Sequence, residues 1–129
     1  MLYYALIHPY LLYCNIVWGG ASQIALYKLN CLHKRAIRVV TKSAYLEHTD
    51  PLFVSLRILK LNDIHKTQVL MYMFKRKYAL LPSSCCNLIT FSTVNPNYIF
   101  RNTNEFILLK YRTELRKKSI SILGPDLWS

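Results

Sequence analysis

The sequence has few acidic residues, few glycines and no Cys-x-x-Cys motif, and each shortage excludes a class of site. The six Asp and Glu residues are spread over 129 residues with no two adjacent, so the clustered carboxylates of a two-metal polymerase or nuclease centre are missing. Three glycines cannot build a Gly-rich phosphate loop. The four irregularly spaced cysteines predict reduced thiols in an intracellular setting, nuclear or cytoplasmic, and no cysteine zinc site.

The histidines add no catalytic signal. His8, His33, His48 and His65 are scattered along the chain, and no Gly-x-Ser-x-Gly motif occurs. A Cys-His catalytic pair stays open, but nothing in the spacing favours it. We therefore assign no catalytic residue, no metal ligand and no cofactor, and we expect the chain alone to be inactive as an enzyme.

Basic residues are abundant instead. Lys and Arg number 17, which gives a formal net charge of +11. Such an excess makes nucleic acid or an anionic membrane the leading partner, with acidic proteins third. A basic protein without such a partner is the open alternative. The hydrophobic content of 53% indicates one packed domain rather than a disordered tail.

One segment, residues 22–42, separates apolar and basic residues on two sides of a predicted helix. Its apolar side is Leu26, Leu29, Leu32, Ala36, Ile37 and Val40, and its basic side is Lys28, Lys34, Arg35, Arg38 and Lys42. The first acidic residue of the chain, Glu47, comes after it. This pattern predicts a packed helix that presents cations to a phosphate backbone, with Tyr27 near enough to stack on a base or ribose. A merely solvated basic face is the alternative.

Residues 1–27 carry no charged side chain and are long enough to span a bilayer. His8, Pro9, Asn15 and Gln23 interrupt the segment, and its tyrosines favour an interface over a bilayer centre. We therefore predict two buried helical pieces, over residues 2–7 and 10–18, and do not favour a membrane partner.

The rest of the chain predicts a mainly α fold: a small bundle of four to five helices over residues 1–81, an irregular loop over 82–105, and a β-hairpin with a truncated tail over 106–129. Thr49 and Asp50 start a short helix with Pro51 in its first turn, and Asn62 and Asp63 cap a helix over residues 64–80. The apolar stripe predicted for that last helix is Leu70, Met71, Phe74, Tyr78 and Leu81.

Two further basic clusters are visible. Lys75, Arg76 and Lys77 lie where a helix dipole favours cations, which explains them as well as a phosphate contact does. The second cluster lies between the two predicted strands and comprises Lys110, Arg112, Arg116, Lys117 and Lys118. This cluster is either solvated or a second contact to a phosphate backbone.

The order of several short motifs resembles the region after the palm in non-LTR, LINE-type retrotransposon reverse transcriptases of the jockey and CR1 branch. The motifs are residues 10–19 (YLLYCNIVWG), 29–41 (LNCLHKRAIRVVT), 49–53 (TDPLF), 56–61 (LRILKL), 80–82 (LLP), 112–113 (RT), 118–120 (KSI) and 124–128 (GPDLW). Residues 97–101 are a looser version of the family's Asn-Tyr-x-x-Arg stretch. Ser129 stands where the family more often has Asn, with further residues beyond it.

This resemblance implies a thumb-like helical bundle and tail that grip an RNA or DNA template-primer duplex. The catalytic aspartates of such polymerases lie in the palm, which would be the missing partner domain. The resemblance thus implies a polymerase fragment that contacts nucleic acid without a catalytic site. A small basic module that binds membranes or proteins is the alternative.

Overall fold

The computed structural model describes residues 2–91 and 106–129, which are mainly α-helical, as predicted. The helices of these residues are α1 (Leu2–Leu6), α2 (His8–Leu12), α3 (Asn15–Trp18), α4 (Gln23–Thr41), α5 (Asp50–Ser55), α6 (Leu61–Lys77), α7 (Ser83–Cys86), α8 (Glu114–Lys117) and α9 (Ile120–Trp128). The chain divides into two compact units, Met1–Gln68 and Val69–Ser129. Most of the predicted loop, residues 92–105, lies outside the described residues.

The first unit has two clusters of buried side chains. One cluster contains Tyr3, Ile37, Phe53 and Ile58, and the other contains Leu11, Leu26, Leu61 and Ile64. Because α4 contributes Ile37 to one cluster and Leu26 to the other, it is anchored to the core at both positions.

The ends of α4 are set by local backbone chemistry. The Ser22 hydroxyl accepts a hydrogen bond from the backbone N–H of Ala25 at 3.3 Å and so caps the N-terminus of the helix. The helix ends at Thr41, because Lys42 adopts a left-handed conformation with φ of 55°.

The buried side of α4 differs from the prediction at two positions, because His33 belongs to it and Leu32 does not. Leu26, His33 and Ile37 are buried. Leu32, which we placed on the apolar side, is 61% exposed. At about 100° per residue, Leu32 lies about 120° around the helix from the buried side, so the core does not reach it.

The N-terminal helices are shorter than predicted, and the prediction that they are buried is wrong for most of their residues. Tyr3 and Leu11 are buried in α1 and α2, whereas Leu2, Leu6 and Tyr10 are exposed.

Pro9 lies in the first turn of α2, and the helix predicted over residues 10–18 is interrupted. Cys14, with φ of 50°, adopts a left-handed conformation that separates α2 from α3. The indole N–H of Trp18 donates to the carbonyl of Tyr13 at 2.7 Å across this interruption. Within the described ranges, no helix is both long and apolar enough to cross a bilayer.

The two capping predictions after α4 are wrong. Thr49 is buried and makes no side-chain capping hydrogen bond at α5, although Pro51 lies in the first turn as expected. Helix α6 begins at Leu61, so Asn62 and Asp63 lie within its first turn instead of preceding it.

The apolar stripe predicted for α6 is also wrong. The helix buries Ile64, Val69 and Met73, whereas Leu70, Met71, Phe74 and Tyr78 are exposed and Leu81 is half-buried. Both sides of α6 carry apolar residues at helical spacing, so periodicity alone selected the wrong one. Phe74 and Tyr78 instead contact each other, with ring centroids 4.6 Å apart.

The predicted C-terminal β-hairpin is wrong as well. Residues 107–111 form no strand, and Ile120–Trp128 is α9; the isolated antiparallel bridge from Phe91 to Phe106 is the β pairing among the described residues. Helix α9 packs tightly against the core of the second unit. Gly124 lies so close to Met73 that a Cβ atom added at Gly124 would come within 2.6 Å of the Met73 sulfur. Packing of this kind outweighs the short alternating pattern that suggested a strand.

Candidate nucleic-acid interface

Four cations of α4 form one surface, which we call the α4 basic face: Lys28, Lys34, Arg35 and Arg38. At about 100° per residue they leave the helix within an arc of about 120°, centred about 150° from the buried side. Three are exposed, and Arg38 is half-buried. The fifth predicted residue, Lys42, is exposed just beyond the end of the helix.

Among the described residues, no carboxylate forms an ion pair with the α4 basic face. Asp50 instead pairs with Lys60 at 2.9 Å. The pKa of Asp50 is lowered chiefly by this hydrogen bond and by the Lys60 charge, with Lys34 contributing a smaller Coulombic part. Arg38 donates through Nε to the backbone carbonyl of Glu47 at 2.9 Å. The positive charge of α4 is therefore available to an external anion.

A groove of about 580 Å³ lies along the α4 basic face, and we call it the aromatic groove. It is lined by Tyr27, Lys28, Cys31, Leu32, Lys34, Arg35 and Arg38 of α4 and by Tyr45 and Leu46 of the following loop. Tyr27 is 67% exposed and Tyr45 is 73% exposed. Pockets that hold small ligands have volumes of about 300–1,000 Å³. The groove thus offers cations and two accessible aromatic rings on one surface.

The second predicted cluster, the C-terminal basic segment, comprises Lys110, Arg112, Arg116, Lys117 and Lys118. It belongs to the second unit, whereas the α4 basic face belongs to the first. All five residues are exposed, and Arg116 and Lys117 lie on the single turn of α8. The Thr113 hydroxyl caps this turn by accepting from the backbone N–H of Arg116 at 3.3 Å.

Tyr45 and Leu46 are the groove residues outside α4, and the sequence did not indicate them. They lie in a connector without periodicity, where no pattern marks a binding residue. The only available signal was proximity to the end of α4. That signal is weak, because a loop can leave a helix in many directions.

The buried histidines belong to the core rather than to a reactive site. The His33 Nε2 atom lies 2.8 Å from the hydroxyl of Tyr3, and the two form a buried hydrogen bond. Burial, with a smaller effect of His8, lowers the pKa of His33 to about 4. Burial also lowers the pKa of His65, which lies 3.1 Å through Nδ1 from Oδ1 of Asn15. In the part of the chain that the structure describes, no group of three or more His, Cys, Asp or Glu residues could hold a metal ion.

Comparison with known proteins gives no relative on which to base a function. No family model matches the chain, and no curated protein or solved structure matches it.

Proposed function

We propose that this chain is the thumb and post-palm region of a LINE-type retrotransposon reverse transcriptase and that it binds template-primer nucleic acid. The α4 basic face would lie along the phosphate backbone. The observation that carries the proposal is the one-sided arrangement of Lys28, Lys34, Arg35 and Arg38 on a helix anchored in the core.

Physical chemistry supports this use of the face. A duplex carries closely spaced phosphates, and cations that neutralise them release condensed counterions, which drives binding. The α4 basic face suits that reaction, because no carboxylate of residues 2–91 or 106–129 forms a salt bridge with it that would have to break. The ordered motifs described above resemble those of the reverse transcriptase family. This resemblance implies that the catalytic aspartates lie in a separate palm domain. We therefore expect no polymerase activity from this chain alone.

The C-terminal basic segment is the second proposed contact. Its five exposed cations include Arg112, Arg116, Lys117 and Lys118. Because they lie on one short helical turn and its flanks, we propose that they add charge to the complex rather than fix its geometry.

A second candidate function is a protein-interaction module. An apolar groove of about 420 Å³ lies between α1 and α4, lined mainly by Leu2, Leu6, Leu32 and Val39. Exposed apolar grooves of this kind often mark interaction sites. This candidate gains weight if the chain binds no nucleic acid in the experiment that follows.

A salt titration of duplex binding tests the proposal. The binding constant of the chain for a blunt DNA duplex is measured between about 50 and 200 mM salt, for the wild type and for Lys34→Ala/Arg35→Ala. Both residues are exposed, so the variant should fold normally. The loss of two phosphate contacts should reduce the logarithmic salt slope by about 1.8 and weaken binding about tenfold per contact at 0.1 M salt.

The matched control removes the same charge elsewhere in the first unit. Arg57→Ala/Lys66→Ala changes two exposed cations outside α4, neither of which pairs with a carboxylate of the described residues. We expect its salt slope to stay near that of the wild type. Equal slopes for the wild type and the Lys34/Arg35 variant would contradict the assignment of the α4 basic face.

A further inference from the structure

The aromatic groove contains groups that binding to a duplex backbone does not use. In a duplex the base faces are stacked inside, so aromatic rings on a protein surface cannot reach them. Tyr27 and Tyr45 are nevertheless both largely exposed beside four cations. Exposed rings next to a cationic track are the arrangement by which proteins hold single strands, because every base has a face on which a ring can stack.

The first ring lies on α4 itself. Tyr27 and Cys31 are one turn apart on this helix, and both line the aromatic groove. Because α4 is anchored in the core, the backbone that carries Tyr27 is already ordered before a base stacks on the ring.

The second ring is held by a loop that is tied back to α4. The backbone N–H of Ser43 donates to the Arg38 carbonyl at 3.0 Å, and Arg38 Nε donates to the Glu47 carbonyl at 2.9 Å. The Glu47 carboxylate accepts from the backbone N–H of Ala44 at 3.2 Å, which closes the turn that carries Tyr45. Both walls of the groove are thus formed before a ligand binds, which reduces the ordering cost of binding.

We infer that the aromatic groove binds an unpaired nucleotide of a single strand, with the base against Tyr27 and Tyr45 and the flanking phosphates on Lys34 and Arg35. The inference rests on the proposed function, because it names the kind of nucleic acid that the same face accepts. The strand exposed beyond the end of a template-primer duplex would have this chemistry.

The test separates base contacts from phosphate contacts. Binding of the full chain is measured to oligo(dT) and to an abasic phosphodiester strand of the same length, which keeps the phosphates and lacks the bases. Base stacking on aromatic side chains should make the wild type bind oligo(dT) about 5- to 150-fold more tightly than the abasic strand. Tyr27→Ala/Tyr45→Ala should bind the two strands equally.

Two control variants show whether the aromatic ring and its position matter. Tyr27→Phe/Tyr45→Phe keeps both rings and should keep the preference for oligo(dT). Tyr13→Ala removes another highly exposed tyrosine, outside the groove, and should also keep it. Circular dichroism of each variant checks that the helical content is unchanged.

The outcomes distinguish this inference from the proposed function. If the wild type binds both strands equally, or if Tyr27→Ala/Tyr45→Ala keeps the preference, the nucleotide site is refuted. The proposed function then still stands if Lys34→Ala/Arg35→Ala lowers the duplex salt slope. If the tyrosine variant loses the base preference while that salt slope stays unchanged, the groove binds bases and the duplex assignment fails.

Discussion

The α4 basic face and the C-terminal basic segment carry similar charge on very different supports. The α4 basic face belongs to a 19-residue helix whose other side buries Leu26, His33 and Ile37. The C-terminal basic segment surrounds the four-residue helix α8, in which no residue is buried. The cations of α4 are therefore held by the core, whereas those around α8 are held by one capped turn.

This difference separates two kinds of electrostatic contact. A preformed cationic surface binds a phosphate backbone without first ordering its own backbone, and fixing each residue costs about 1–2 kcal/mol. The C-terminal basic segment has to meet part of that cost on binding. We therefore expect orientation to come from α4 and additional, less specific attraction to come from the C-terminal basic segment.

The largest expected effect comes from removing the support of α4. Ile37 is fully buried, so Ile37→Ala should lower the free energy of unfolding by about 2–5 kcal/mol through lost burial and a new cavity. Urea denaturation measures the change. The counterpart on α8, Leu115→Ala at an 85% exposed position, should change it by less than about 0.5 kcal/mol. Equal effects of the two substitutions would contradict the claim that α4 is held by the core and α8 is not.

Acidification should weaken the same support. Burial lowers the pKa of His33 from 6.5 to about 4, so between these values the unfolded chain binds more protons than the folded chain. Stability should therefore fall as the pH drops from about 6.5 to 4, by about 2 kcal/mol from His33. The lowered pKa of His65 acts in the same direction.

Urea denaturation at several pH values measures this loss of stability. The exposed-site variant His48→Gln should show the wild-type dependence. Stability that stays constant across the window would show that His33 is not held neutral on the buried side of α4.

The smallest expected effect compares the two caps. Ser22 and Thr113 each accept a backbone hydrogen bond at 3.3 Å, so the capping contacts are similar. Ser22→Ala should cost about 1 kcal/mol of global stability, because α4 is part of the core. Thr113→Ala should change global stability by less than about 0.5 kcal/mol and act locally on α8. Denaturation and amide exchange at Arg116 measure both effects, and a global loss from Thr113→Ala would contradict the comparison.

The sequence predicted α4 well because several local signals agree there. Ser22 supplies a cap, the apolar spacing matches one helix side, and the basic residues occupy the other. On α6 the apolar spacing predicts the wrong buried side, since apolar residues lie on both sides of the helix. Only tertiary contacts determine which side is buried. The hairpin prediction is wrong for a related reason. Ile120 and Ile122 are residues that favour a strand locally, but no described strand lies beside them.

The site was predictable only in part. Lys28, Lys34, Arg35 and Arg38 follow from helical periodicity, and their common face could be drawn without coordinates. The opposite wall of the aromatic groove could not, because Tyr45 is brought there by the Arg38–Glu47 hydrogen bond. Side-chain to backbone contacts of this kind leave no periodic trace in a sequence.

At Lys42 the residue that best suits the left-handed backbone differs from the residue that adds positive charge. Glycine is the usual residue after the end of a helix in this conformation, since other residues incur a steric cost of roughly 1 kcal/mol. Glycine at position 42 would relieve that cost and would also remove a cation beside α4. Thermostability screening of this chain would therefore favour a substitution here that reduces its net charge, and the most stable version need not be the tightest binder.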